Sequence, residues 1–201
     1  MDVGAGESPW RELLSHDADY YGLDVEHSDS FKMSKVRSGI IYYEGTIFPF
    51  PSETFSSAIC IETLEHVSNP VKMLLEIFRV LELGGRVLIS VPWSARRHHK
   101  PFDFYRYSPD GLKHLLTEAG FTEVQISPRG SEAHVIANKI LIYVISIFKS
   151  KKNQWYALKL LFNALIIPLL VFWYVVAWIN QICNIKSEID PLGYFVKAKK
   201  T

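Results

Sequence analysis

The chain has 201 residues, enough for one domain with an appendage, and its 22 basic and 21 acidic residues leave a formal net charge of +1. No long basic tract or strong field is present, which argues against nucleic acid as a partner. Two cysteines, Cys60 and Cys183, lie far apart in apolar surroundings; they make neither a disulfide framework nor a cysteine metal site, and they suit a reducing cytosolic compartment.

No apolar export segment opens the sequence, which begins Asp2-Val3-Gly4-Ala5-Gly6, so no secretory leader is expected. Gly4 to Pro9 reads as a loop feeding a short helix that ends near His16, with Ser8 as its cap and Pro9 at its first position. Tyr20 to Val25 reads as a strand carrying an acid, Asp24. Pro49 to Thr54 is a loop, and Ser57 to Ile61 a buried strand. Pro70 to Leu81 places Val71, Leu74, Leu75, Phe78 and Leu81 at helical spacing, with Gly84 and Gly85 as the stop. Arg86 to Val91 is the next strand. Ser108-Pro109-Asp110 opens a helix that Gly120 closes, and Phe121 to Ile126 is again strand-like. Strands alternating with helices imply an α/β fold: a parallel sheet with helices on both faces, whose ligands bind at the carboxyl ends of the strands.

The loop Asp2-Val3-Gly4-Ala5-Gly6 lets the main chain approach a ligand, because glycine has no Cβ. Asp24 follows where an acid can accept hydrogen bonds from ribose hydroxyls. The third glycine of the nicotinamide fingerprint is absent. Taken alone, the loop fits a tight strand-to-helix turn as well as a nucleotide site.

Three further motifs follow in order: Phe48-Pro49-Phe50-Pro51-Ser52-Glu53-Thr54-Phe55, then Glu62-Thr63-Leu64-Glu65-His66-Val67, then Arg79-Val80-Leu81-Glu82-Leu83-Gly84-Gly85. With the glycine loop they resemble the type 11 family of class I, S-adenosylmethionine-dependent methyltransferases over roughly residues 1–130. The resemblance implies a Rossmann-like sheet and S-adenosylmethionine as cofactor. Gly4 and Gly6 are then expected to line its methionine end with Asp2 close by, and Asp24 to hold the ribose. Glu44 stands where the family usually has an aspartate near the adenine amine, and Glu62 and Thr63 border the sulfonium. Ser56 replaces an aspartate common after the Phe55 position. Met1 falls where the family has the end of its first strand, so a sheet truncated at that strand is expected. The companion expectation is a non-catalytic, membrane-associated remnant as the alternative to an active enzyme.

Trp93 to Tyr107 crowds cations, histidines and aromatics onto one loop past the fifth strand. It resembles the His…Pro-x-Asp-Phe-Tyr-Arg-Tyr segment of a methyltransferase subgroup associated with surface polysaccharide biosynthesis. His99 is the expected general base, since imidazole titrates near neutrality. Asp103 is expected to orient a histidine or bind a hydroxyl, and Arg106 to hold an anionic group. Asp103 and Arg106 pairing with each other is the structural alternative, as is packing for Tyr105 and Tyr107. His98 reads as solvated and His66 as a capping or packing residue. The histidines lack the spacing of a zinc site, so no metal is expected.

Between Lys159 and Lys186 no charged residue occurs. That length spans a bilayer as a helix, and Trp155, Trp173, Tyr174 and Trp178, with Lys149, Lys151, Lys152 and Lys159 flanking, suit an interface. Asp190 to Lys200 resembles the last strand of the methyltransferase sheet, antiparallel beside residues 121–126. The chain therefore divides into a core at 1–130, an apolar helical, membrane-associated insertion at 131–188, and the last core strand at 189–201. Since both flanks of the insertion return to one sheet, the expected geometry is a monotopic hairpin bent at Pro168 and entering one leaflet. The expected activity is methyl transfer to a small-molecule, lipid or lipid-linked saccharide acceptor on the cytoplasmic side of a membrane.

Overall fold

The computed structural model describes residues 1–7, 9–13, 19–25, 39–44, 47–149 and 155–201. The cap at Ser8, the helix end near His16, and Lys151 and Lys152 lie outside them. Among the described residues, seven strands make one sheet: β1 (Asp2–Val3), β2 (Gly22–Val25), β3 (Ile40–Tyr43), β4 (Phe55–Ile61), β5 (Leu81–Pro92), β6 (Thr122–Arg129) and β7 (Gly193–Lys199). Their order is β3-β2-β1-β4-β5-β7-β6. The strands β1 to β5 pair in parallel, with Asp2 opposite Gly22 on one side and Ile59 on the other. β7 is antiparallel to both of its neighbours. Lys200 exchanges backbone hydrogen bonds with Gly84 and Gly85 at one end, and the Leu192 N–H donates to Arg129 O at the other (2.9 Å). The mixed seven-stranded sheet with helices on both faces is the Rossmann-like methyltransferase arrangement.

Two compact units divide the chain. One is Met1–Pro92, Arg96–Ser127 and Tyr194–Thr201; the other is Trp93–Ala95 with Pro128–Gly193. In the first, α1 (Pro70–Val80) starts where Asn69 accepts from the Lys72 N–H (3.1 Å) and Pro70 occupies a first-turn position. Its apolar stripe buries Leu74, Ile77 and Val80 completely. The helix ends at Val80, ahead of the glycine pair expected to stop it. Leu81 has extended backbone, is fully buried, and pairs with Phe55 as the first residue of β5. Helical spacing could not reveal this, because a buried strand residue and a buried helix residue look alike in sequence. α2 (Pro109–Glu118) is capped by Ser108, whose hydroxyl accepts from the Gly111 N–H (3.1 Å). Phe78 of α1 packs edge-on to Phe121, just before β6 (5.1 Å).

The second unit holds α3 (Glu132–Phe148) and α4 (Tyr156–Ile182). They form an antiparallel pair. Asn180, near the end of α4, donates through Nδ2 to Ser131 Oγ at the start of α3 (2.9 Å), and Ser187 Oγ donates to Glu132 Oε1 (2.6 Å). α4 continues unbroken through Pro168, which corrects the expected bend there. Proline removes one backbone donor, leaving the Ala164 carbonyl without its helical partner, yet 27 residues of otherwise strong helix carry the element across the gap. The reversal of direction lies between α3 and α4 instead.

Candidate active site

The carboxyl ends of β1 to β4 surround a cavity of about 410 Å³, within the range of small-molecule sites. Its floor is the glycine loop. Gly4 and Gly6 have φ of +72° and +51°, and the Gly4 N–H donates to Leu23 O (2.8 Å). A Cβ on Gly4 would fall 2.3 Å from Thr63 Cγ2, so only glycine fits between the loop and the residue past β4. Asp24 closes the loop from the end of β2. Its carboxylate accepts from the Gly6 N–H (2.8 Å) and the Val25 N–H (2.7 Å), which leaves lone pairs on both oxygens toward the cavity it lines. Burial raises its pKa, against the lowering effect of those two amides.

Glu62 and Thr63 also line the cavity. Glu62 adopts φ +51°, and its Oε1 accepts from Ser90 Oγ (2.7 Å). Two of the expected cofactor residues stand elsewhere. Asp2 is buried beneath the loop, outside the cavity wall, where the Tyr20 hydroxyl donates to it (2.6 Å); it braces β1. Glu44 is exposed, and the residue before it, Tyr43, supplies the wall. Burial pushes the Tyr43 hydroxyl up to about 12, so it is neutral across the physiological range.

The far wall is made of histidines. His99 lines the cavity, and so do His98, expected to be solvated, and His66, expected only to cap or pack. Their rings pack edge-to-face, with centroids 4.7 Å apart for His66–His98 and 5.1 Å for His66–His99 and His98–His99. Asp103 and Arg106, expected as catalytic groups, are outside the wall and pair with each other. Arg106 donates to both carboxylate oxygens (2.6 and 3.1 Å), and the His98 N–H donates to Asp103 Oδ2 (2.8 Å). The Arg106 guanidinium holds the Asp103 carboxyl well below the usual carboxylate range, so the pair stays ionised. Tyr105 and Tyr107 donate to Ser68 O (3.1 Å) and Leu64 O (3.0 Å), and the Phe104 N–H donates to Glu65 O (2.9 Å). The Phe102–Tyr107 segment is thus tied to the 3₁₀ turn Leu64–His66 and to Ser68 just past it, which holds His66 and the His98–His99 pair near each other.

Sequence reasoning missed Tyr43, Trp10, Met73 and Val67 in the wall. Tyr43 and Val67 sit directly beside residues already singled out. Trp10 and Met73 belong to elements whose rotation toward the cavity no local signal gives.

A sheet of this order with a glycine loop and an acid at the ends of its first two strands defines a class I, S-adenosylmethionine-dependent methyltransferase. Residues 1–89, less than half of the chain, match the family model described as a methyltransferase domain, type 11. An uncharacterized protein of Methanocaldococcus jannaschii is 26% identical over 175 residues, covering 75% of this chain and 73% of that protein. The fold matches a SAM-dependent methyltransferase from Archaeoglobus fulgidus with a TM-score of 0.58 at 15% identity, over 99% of this chain and 84% of the other. It also matches Haemonchus contortus phosphoethanolamine N-methyltransferase 2, in complex with S-adenosyl-L-methionine, with a TM-score of 0.55 at 15% identity, over 99% of this chain and 47% of that one. The chain therefore spans less than half the length of that enzyme.

The residues present fit the cofactor. The cavity offers close backbone approach at Gly4 and Gly6, carboxylate lone pairs at Asp24, and a largely apolar lining with Val25 and Tyr43.

Proposed function

We propose that the chain transfers the methyl group of S-adenosylmethionine to a hydroxyl of a small-molecule, lipid or lipid-linked saccharide acceptor at the cytoplasmic face of a membrane. The observation that carries the reaction is one cavity with Gly4, Gly6 and Asp24 at one end and His98 and His99 at the other. The bound cofactor supplies an activated sulfonium methyl group. The residues here hold it, keep the reacting atoms in line, and take a proton. As the acceptor oxygen bonds to the methyl carbon, the carbon–sulfur bond breaks and sulfur keeps its electron pair. The hydroxyl proton passes to the histidine wall, where His99 is the proposed base.

Membrane association is supported by α4. Its mean hydropathy is 2.4 over the most apolar 18-residue window, of which only 11% is buried. Leu161, Leu165 and Phe172 are more than half exposed. The antiparallel α3–α4 pair begins after β6 and ends before β7, so both flanks return to one sheet; a hairpin entering and leaving the membrane on one side suits this connectivity.

Calorimetric titration with S-adenosylmethionine tests the cofactor assignment. Asp24→Ala is expected to weaken binding by about 1–3 kcal/mol, the cost of unmet charge-assisted hydrogen bonds. Equal affinity in the variant and the parent would remove Asp24 from the site.

A further inference from the structure

We infer that Glu65, His66, His98 and His99 form a binding site for a divalent transition-metal ion of the zinc class on the wall of the cavity. The ligating nitrogens of the three histidines lie within 4.8 Å of one another. Their protonation is set by the main chain. His66 Nδ1 is 2.6 Å from Phe102 O, and His98 Nδ1 is 3.1 Å from Arg96 O. A carbonyl oxygen only accepts, so each Nδ1 carries the proton and each Nε2 carries a lone pair. Both Nε2 atoms face the same oxygen, Glu65 Oε1, at 3.6 and 3.9 Å.

Glu65 is the second, independent sign of a ligand. Its side chain is fully buried, and neither carboxylate oxygen has a hydrogen-bond partner beyond its own backbone N–H. Burying a carboxylate this way costs free energy unless something compensates. The distances exclude direct hydrogen bonds between Glu65 and the two imidazoles. They are a few tenths of an ångström wider than the roughly 3.3–3.4 Å between ligand atoms about 2.0–2.1 Å from a tetrahedral zinc, so a bound ion would draw the three side chains inward. One carboxylate and neutral imidazoles are the donor set that zinc, nickel and copper prefer.

The surroundings match those of a ligand shell. The carbonyls of Phe102 and Arg96 orient the imidazoles, and Asp103 fixes the backbone of His98 (2.8 Å). His99 completes the group with φ +47°, a left-handed backbone that a Phe102 N–H to His99 O hydrogen bond holds in place (2.9 Å). No spacing motif reveals this, because His66 lies 32 residues before His98 and the 102–107 segment brings them together. The site exists whether or not the chain transfers methyl groups. Added to the proposed reaction, the ion would take over from His99 the task of making an acceptor hydroxyl acidic.

The test uses the full chain, zinc and cobalt(II), and no acceptor. One zinc ion per chain is expected by equilibrium dialysis, and cobalt(II) should show the intense visible absorption of four-coordinate geometry. His99→Ala, a change at an exposed position, and Glu65→Gln, which keeps the shape of the side chain, should each weaken zinc binding at least 10-fold. His114→Ala, at a histidine outside the cluster, should leave it unchanged. Absence of zinc binding, or equal affinity in parent and His99→Ala, overturns the site. S-adenosylmethionine titration of the same samples is read separately, so loss of the metal and failure of the cofactor assignment give different patterns.

Discussion

The sheet unit and the helical hairpin treat apolar side chains in opposite ways. In the first, Leu23, Leu74, Ile77, Ile89 and Leu112 are 0–1% exposed. In the second, Leu161, Leu165, Phe172 and Trp178 are 57–75% exposed. Water penalises such a surface at about 25 cal/mol for each Å² of apolar area. The difference teaches that the sheet unit is stabilised by what it encloses, whereas the hairpin carries its apolar surface outward, as an element partnered by lipid does.

The largest expected effect breaks the comparison at the hairpin. Leu165→Lys with Phe172→Lys should cost about 2.5 kcal/mol at each position if that face enters lipid, lowering vesicle binding by roughly several thousand-fold. Co-sedimentation with anionic vesicles reads this, and thermal unfolding of the sheet should not change. Vesicle binding equal to the parent's would assign the face to another protein surface or to water.

A smaller effect sharpens the other side. Arg106→Ala leaves the Asp103 carboxylate, 2% exposed, without its cation. The expected loss is about 3 kcal/mol of stability by urea unfolding, with vesicle binding unaffected. A loss below about 0.5 kcal/mol would show that the ion pair contributes little, within the range of ordinary surface substitutions.

The smallest effect is pH-dependent. Glu76 accepts from Arg79 and from the Phe48 N–H (2.7 Å), and the Arg79 hydrogen bond chiefly lowers its pKa from 4.5. A depressed carboxylate pKa adds stability above the unfolded value, and that stability is lost as pH falls through the folded value. Glu76→Gln should therefore be less stable than the parent at pH 7, by about 1 kcal/mol, with the gap closing as pH falls below 4.5. A gap that stays constant with pH would mean that charge plays no part in the clamp.

Much of the sheet was legible in sequence because its signals are local. Asn69-Pro70 and Ser108-Pro109 mark helix starts directly, and β4 and β6 stand between recognisable turns. β3 was not: Ile40–Tyr43 is four residues with no turn chemistry of the usual kind ahead of it except Gly39. Gly4, Gly6, Asp24, Glu62 and Thr63 were legible through motif spacing, and all of them line the cavity. The partners of Asp103 and the approach of His66 to His98 were not, since both depend on how a loop folds back on a distant turn. Pro168 misled for a related reason: its local effect is real, but neighbouring turns sustain the helix.

The position of β7 bears on how the protein is made. Residues 193–199 form the strand between β5 and β6, so those two strands have no common partner until the last of them leaves the ribosome. α4 emerges earlier, while the sheet is still open. Under the proposed membrane association, synthesis presents the hairpin to lipid before the sheet can close, an order in which a nascent chain docks first and finishes folding in place.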